Sequence, residues 1–144
     1  MFLTDISSER GEHDVSDCAQ WSQVWLRAEE FFGGEGEVLC NNAGIYETYQ
    51  STNTNIINVN LLGVTYGTNL AMEKMSVERG GRGGLIVQVS STAGLLTTSA
   101  SPLYCASKAG VLGYLRSHGP GTERRSGVRM VAICPTLTDT PLIR

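Results

Sequence analysis

Tyr104 and Lys108 are the residues whose types and spacing most directly indicate chemistry. They lie four positions apart, so on a helix both side chains would project from one face. A phenol is a weak base at neutral pH because its reference pKa is about 10, and a nearby ammonium lowers that pKa by stabilising the phenolate. The pair predicts a tyrosine base assisted by a lysine. Taken alone, however, the motif is better explained by a surface lysine beside a half-buried tyrosine.

Ser91 adds a third group, thirteen residues before Tyr104. It follows the apolar run 85–89, a predicted buried strand, and precedes residues 92–94, which turn the chain away. A hydroxyl in this place can donate a hydrogen bond to a substrate oxygen as that oxygen changes between alcohol and carbonyl. The three groups together favour chemistry at an alcohol.

The elements that must position these groups alternate between strand and helix. Strands are predicted at residues 1–4, 38–40, 85–89 and 129–134. Three helices are predicted. The first begins at a cap on Ser16 or Asp17 and ends at Gly33, with an apolar face of Trp21, Val24, Ala28 and Phe31. The second covers about residues 54–78, and the third runs from Pro102 to about Ser117, where the Gly-Pro-Gly of residues 119–121 stops it. This order predicts an α/β fold, an open doubly wound parallel sheet with helices on both faces. Ligands of such folds bind beyond the carboxyl ends of the strands, where the polar motifs of this chain lie.

The composition indicates an ordinary globular domain of 144 residues, 41% hydrophobic and 17% charged. A formal net charge of −3 gives no electrostatic footprint for nucleic acid or an anionic membrane, so neither is an expected partner. The four cysteines lack Cys-x-x-Cys spacing, so no metal site is expected. We expect them to be buried free thiols of a protein in a reducing compartment. No apolar run reaches the ~18–20 residues that span a membrane. The expected location is cytoplasmic.

The sequence resembles the short-chain dehydrogenase/reductase family over nearly its whole length. Ser91, Tyr104 and Lys108 match the family's catalytic serine and Tyr-x-x-x-Lys pair, residues 41–44 match its Asn-Asn-Ala-Gly turn, and Asn60 matches its helix asparagine. The resemblance implies a Rossmann-like fold and hydride transfer from a secondary alcohol to NAD. It also implies that Tyr104 takes the hydroxyl proton while Ser91 orients the substrate oxygen. Lys108 would bind the nicotinamide ribose, and Asn60 would hold a water of the proton relay.

Further contacts follow from the same resemblance. Asp5 falls where the family places an acidic residue that bonds both ribose hydroxyls and repels a 2′-phosphate, which favours NAD over NADP. The implied cofactor contacts are Asp5, Ile6, Asp14, Val15, Asn42, Tyr104, Lys108, Thr138 and Thr140. The implied substrate contacts are Ser91, Ser101 and Tyr104. Of the two threonines, Thr140 is the better candidate.

Within the family, the stretches 90–95, 104–108 and 127–135 resemble the NAD-dependent 15-hydroxyprostaglandin dehydrogenases most. Insect-type alcohol dehydrogenases share part of the pattern. Position 101 is serine where the prostaglandin branch has glutamine, so the substrate stays open, and a lipid-derived secondary alcohol is one option. The family's first strand and its Thr-Gly-x-x-x-Gly-x-Gly loop, which anchors the pyrophosphate, have no counterpart before Asp14. Residues 1–144 are therefore expected to form one partial domain, truncated at both ends.

These departures leave three hypotheses open. The chain is an active oxidoreductase that binds NAD in spite of an incomplete fold, or a truncated form that keeps the catalytic residues and binds cofactor poorly. The third hypothesis is a catalytically silent interaction module that pairs with a full-length relative through the long helix and the Tyr104 helix. A homodimer through the same two helices is a further option.

Overall fold

A computed structural model describes residues 13–46, 54–140 and 142, and it is built on a three-stranded parallel sheet. The strands are β1 (Val38–Asn41), β2 (Gly84–Val89) and β3 (Val128–Ile133), in that spatial order. The three predicted strands in this part of the chain are confirmed to within one residue at each end. The strand predicted at residues 1–4 lies outside the described residues. A parallel sheet with flanking helices confirms the α/β, Rossmann-like fold.

The first helix, α1 (Cys18–Phe32), begins and ends where the sequence predicts. The carboxylate of Asp17 accepts a hydrogen bond from the backbone N–H of Ala19, and Gly33 ends the helix with a φ of 69°. The prediction that Phe31 belongs to the buried face is wrong, because its side chain is 83% exposed. The buried face runs through Trp21 and Trp25, and six residues of helix place Phe31 about 120° around the axis from Trp25.

The long helix predicted over residues 54–78 exists, but it is not uniform. It consists of α2 (Asn55–Ile57), a π-helical turn (Asn58–Gly63), α3 (Val64–Met75) and a short 3-10 turn (Val77–Arg79). A π-helical turn is wider than an α-helical one and is frequently found at functional sites. Here it contains Asn60, the helix asparagine of the predicted site.

The last helix, α4 (Pro102–Ser126), is longer than predicted. The predicted stop at residues 119–121 is wrong, since the helix continues to a left-handed cap at Gly127. A proline in a helix interior removes one backbone hydrogen bond and costs about 3 kcal/mol. Hydroxyls on this part of α4 bond back to carbonyls one turn earlier, such as Ser126 to Thr122 at 2.7 Å. Packing of α4 along β3 and its direct connection to that strand outweigh the local break.

The described helices gather on one face of the sheet, where the core lies. Leu39, Ile86 and Met130 are register neighbours on that face and pack in one cluster with residues of α1 and α3. The opposite face carries the alternate residues, and Val38 and Ile133 on it are exposed. The second helical layer predicted for that face is not tested by the described residues.

Two sequence expectations concern the whole chain rather than single elements. The four cysteines are free. Cys105 is buried and Cys40 and Cys134 are only half-buried, whereas the expectation of burial is wrong for Cys18, which is exposed as the first residue of α1. Among the described helices, none is both long and apolar enough to cross a membrane.

Candidate active site

The predicted catalytic residues come together at the carboxyl ends of the strands. Ser91 lies two residues beyond the end of β2, and Tyr104 and Lys108 lie in the first turns of α4. The ammonium of Lys108 is 5.7 Å from the centre of the Tyr104 ring. It also donates a hydrogen bond to the carbonyl of Val89 at 2.8 Å, which ties α4 to the last residue of β2.

The phenol of Tyr104 is buried, with only 7% of the residue exposed. Burial raises its pKa above the ordinary value, a hydrogen bond with the Ser91 hydroxyl opposes this rise, and the nearby Tyr46 and Cys105 add to it. The net shift in this structure is upward, so Lys108 alone does not produce the predicted lowering. A phenol in this state is a proton donor, and it needs an added positive charge to become an effective base.

Lys108 is itself almost fully buried, at 3% exposed. Burial lowers the pKa of its ammonium to about 8. A 3-10 turn (Thr92–Gly94) covers this part of α4, and a side-chain carbon at Gly94 would come within 2.8 Å of the Lys108 carbonyl. The Ser90 hydroxyl donates to that same carbonyl at 2.9 Å. The lysine is therefore held on both its backbone and its side chain.

Asn60 is completely buried and joins two parts of the site. Its Oδ1 accepts from the N–H of Ile45 at 2.8 Å, and its Nδ2 donates to the carbonyl of the same residue at 2.9 Å. Its Nδ2 also donates to the Ser107 hydroxyl at 3.1 Å, which in turn donates to the carbonyl of Tyr104 at 2.8 Å. The amide thus connects the loop after β1 with α4. Its predicted role in a water relay stays a prediction.

The sequence model of the family described as short chain dehydrogenase matches residues 9–144. The chain belongs to the short-chain dehydrogenase/reductase family. In structure it is similar to a short-chain dehydrogenase/reductase from Burkholderia phymatum solved in complex with NAD. The TM-score is 0.77 at 27% identity, covering 90% of this chain and 47% of that one.

Relatives within the family bear out the predicted branch. The 15-hydroxyprostaglandin dehydrogenase (NAD(+)) of Mus musculus is 38% identical over 131 residues, 90% of this chain and 48% of that protein. Alcohol dehydrogenase 1 of Ceratitis cosyra is 42% identical over 107 residues, 74% of this chain and 41% of that protein. The chain spans about half the length of the curated relatives it matches.

Asp14 and Val15, two of the cofactor contacts that the family implies, differ in their exposure to solvent. Asp14 is exposed, and two hydrogen bonds from Ser16, at 2.7 Å from its hydroxyl and 2.9 Å from its N–H, lower the pKa of its carboxyl. Val15 is buried in the core against Gly63, and its carbonyl accepts from the indole of Trp21 at 3.0 Å. Only Asp14 of this pair therefore presents a polar side chain at the surface.

The remaining implied cofactor contacts follow strands or lie near the N-terminus. Asn42, directly after β1, is exposed. Thr138, after β3, is exposed with its hydroxyl donating to the carbonyl of Thr136 at 3.0 Å, while Thr140 is half-buried. Asp5 and Ile6 lie outside the described residues, and they also precede the segment that matches the family model.

Ser101, the implied substrate contact that precedes α4, faces the protein interior. It is only 1% exposed, and its hydroxyl has no hydrogen-bond partner within the described residues. A buried hydroxyl without a partner is unfavourable by about 1–3 kcal/mol. Its contact with a substrate stays a prediction.

Two residues of the site are not predicted from the sequence. Ser107 links Asn60 to Tyr104, and its place within the Tyr-x-x-x-Lys segment, three residues after the tyrosine, is the signal that could have revealed it. Tyr46 packs its ring on that of Tyr104, with ring centres 4.8 Å apart. It follows the Asn-Asn-Ala-Gly turn by two residues, and a turn motif alone does not give the direction in which the next side chain points.

Proposed function

We propose that this chain carries the catalytic groups of an NAD-dependent oxidoreductase that oxidises a secondary alcohol to a ketone. The observation that carries the proposal is the buried phenol of Tyr104, which is hydrogen-bonded to Ser91 and has the Lys108 ammonium 5.7 Å from its ring centre. Family membership and relatives named as dehydrogenases support the same reaction class.

The residues at the carboxyl edge suit the nicotinamide end of NAD. Lys108 uses one of its three N–H donors on Val89, so two can serve ribose hydroxyls. The hydroxyls of Thr138 and Thr140 follow β3 at the same edge and suit the carboxamide. Asp14 would serve the adenosine end, and Asp5 would favour NAD over NADP. When bound, NAD supplies the hydride acceptor and a positively charged ring.

The protein groups then have distinct tasks. Ser91 orients the substrate oxygen and donates to it as the carbonyl forms. Tyr104 accepts the hydroxyl proton of the alcohol. Lys108 holds the ribose and, together with the charge of the oxidised ring, offsets the burial that raises the pKa of Tyr104. Asn60 holds the site together and completes the path of the proton to solvent.

The loops around this edge favour an apolar substrate. Each loop that leaves a strand exposes at least one large apolar side chain, and these are Tyr46 after β1, Leu95 and Leu96 after β2, and Leu137 after β3. Exposed apolar side chains on the loops at one edge of a sheet are typical of a site for a ligand with apolar surface. We therefore propose an alcohol with an apolar chain, such as a lipid-derived one.

A titration with NAD, with the fluorescence of Trp21 and Trp25 as the signal, tests the proposal. We expect saturable binding in the micromolar range, and absence of binding at millimolar NAD would reject the enzyme. Tyr104→Phe should lose turnover about 100-fold or more, because it removes the general base, while NAD still binds through its other contacts. Tyr114→Phe is the matched control on the same helix, remote from the three catalytic groups, and should keep full turnover. Full turnover in Tyr104→Phe would reject the proposed base.

A second candidate function is a silent interaction module that pairs with a full-length relative. The exposed apolar residues Val38 and Ile133 on the sheet face opposite the helices favour it. It predicts no NAD binding and co-purification with a family member. A homodimer through α3 and α4 is a related proposal that sedimentation would test. The free cysteines support a cytoplasmic location for either function.

A further inference from the structure

We propose that Tyr46 is a positioning residue for Tyr104, held over the catalytic phenol by Asn60 through the backbone of Ile45. That Tyr104 is catalytic rests on the proposed function. The positioning itself rests on contacts that exist in the folded chain, so it can be tested without turnover.

The contact between the two rings is direct. Their centres are 4.8 Å apart and their planes are tilted by 60°, which lies within the range of favourable aromatic pairs. Tyr46 is 37% exposed and Tyr104 only 7%. Tyr46 is therefore the outer ring, and it covers part of the inner ring against water.

The position of the Tyr46 ring is restricted through Ile45, the residue that precedes it. Both backbone polar groups of Ile45 bond to the buried amide of Asn60, at 2.8 and 2.9 Å. Two bonds from one rigid side chain restrict the backbone at Ile45, and so they restrict the position from which the Tyr46 side chain leaves.

The same amide also anchors the inner ring. Nδ2 of Asn60 donates to the Ser107 hydroxyl, which donates to the carbonyl of Tyr104. One side chain thus supports Tyr46 through Ile45 and Tyr104 through Ser107. Because both supports start from Asn60, the relative position of the two rings is determined by a single buried group.

The groups that face Tyr104 come from three parts of the chain. Ser91 lies at the start of the 3-10 turn, Tyr46 in the loop after β1, and Cys105 and Lys108 on α4 itself. Burial raises the pKa of Tyr104 most, and Tyr46 contributes a further rise. Removal of the Tyr46 ring should therefore admit water and lower that pKa, whereas a merely structural surface residue would leave it unchanged.

The experiment is a pH titration of the tyrosines by NMR, with carbon-13 at Cζ and Tyr104→Phe used to assign the resonance of Tyr104. In Tyr46→Ala we expect the pKa of Tyr104 to fall and its ring contacts with residue 46 to disappear. In Tyr46→Phe, which keeps the ring, we expect a smaller fall and a retained ring contact. Tyr114 is the control, because it lies ten residues after Tyr104 on α4 and its hydroxyl bonds to Asn69 of α3 at 2.8 Å. Tyr114→Phe should leave the titration of Tyr104 unchanged.

Kinetics provide a second readout if the chain turns over. Loss of one aromatic pair should lower kcat/KM by about threefold to tenfold in Tyr46→Ala, mainly through kcat, and Tyr46→Phe should restore it. An unchanged Tyr104 titration in a folded Tyr46→Ala protein overturns the proposal, as does Tyr46→Phe behaving like Tyr46→Ala in the ring contact. Should Tyr46→Ala not fold, Tyr46→Leu is judged by the same titration. Absence of turnover in every variant would count against the proposed function and leaves the titration to decide the role of Tyr46.

Discussion

At the scale of single residues, the buried ammonium of Lys108 places function and stability in opposition. Burial lowers its pKa to about 8, whereas an unfolded lysine titrates near pH ~10.4. Between these values the unfolded chain binds more protons than the folded one, so the free energy of unfolding rises with pH. Below about pH 8 the lysine is charged in both states, and the full burial penalty, on the order of 3 kcal/mol, is present.

We therefore expect Lys108→Met to raise the free energy of unfolding at about pH 7 by roughly 1–3 kcal/mol, while losing turnover. The gain is smaller than the penalty because the bond from Nζ to the Val89 carbonyl is lost as well. Urea unfolding at about pH 7 and about pH 9.5 measures both values, and the gain should shrink at the higher pH. Lys74→Met is the control, because Lys74 is the chain's other lysine and is exposed. A gain that does not depend on pH would contradict the argument.

At the scale of elements, α4 contains an unfavourable residue that tertiary packing tolerates. The helix continues through Pro120, which has no N–H to donate. Pro120→Ala restores that donor and should raise the free energy of unfolding by about 1–3 kcal/mol in a urea titration. Gly113→Ala is a matched control at an open position of the same helix, where propensity alone gives about 0.5–1 kcal/mol. If Pro120→Ala gains no more than Gly113→Ala, the helix is not continuous at this point.

The elements also show how far the sequence alone reaches. Each strand is predictable because it is a short apolar run between turn residues, and α1 because Asp17 and Gly33 cap it. The length of α4 is not predictable, because the local cost of Pro120 is smaller than the packing that carries the helix into β3. The π-helical turn at Asn60 is hidden as well, since a shift of one residue barely alters a helical apolar pattern.

The candidate site divides in a similar way. The spacing of Ser91, Tyr104 and Lys108 is visible in the sequence because it depends on one strand end and one helix. The contact of Tyr46 with Tyr104 depends on how the segment after β1 packs against α4. Long-range contacts of this kind follow from tertiary packing and leave no local pattern to read.

At the scale of the whole molecule, the two faces of the sheet differ in how they are covered. Ile86 faces the described helices and is fully buried, whereas Ile133, on the opposite face, is 49% exposed. Within the described residues, the face of β3 opposite the helices therefore carries an apolar side chain that is partly exposed to water. Parallel sheets are ordinarily covered on both faces, and the described residues cover one face of this sheet more fully than the other.

The difference between the faces gives a matched pair of substitutions. Ile133→Thr should change the free energy of unfolding by less than about 1 kcal/mol, because little apolar area is lost. Ile86→Thr should lower it by about 2–4 kcal/mol, because it leaves a cavity and buries a hydroxyl in the core. Urea unfolding measures both, and binding of the dye ANS to the folded chain should fall only in Ile133→Thr. Equal destabilisation by the two substitutions would mean that the opposite face is covered in solution by groups beyond those described.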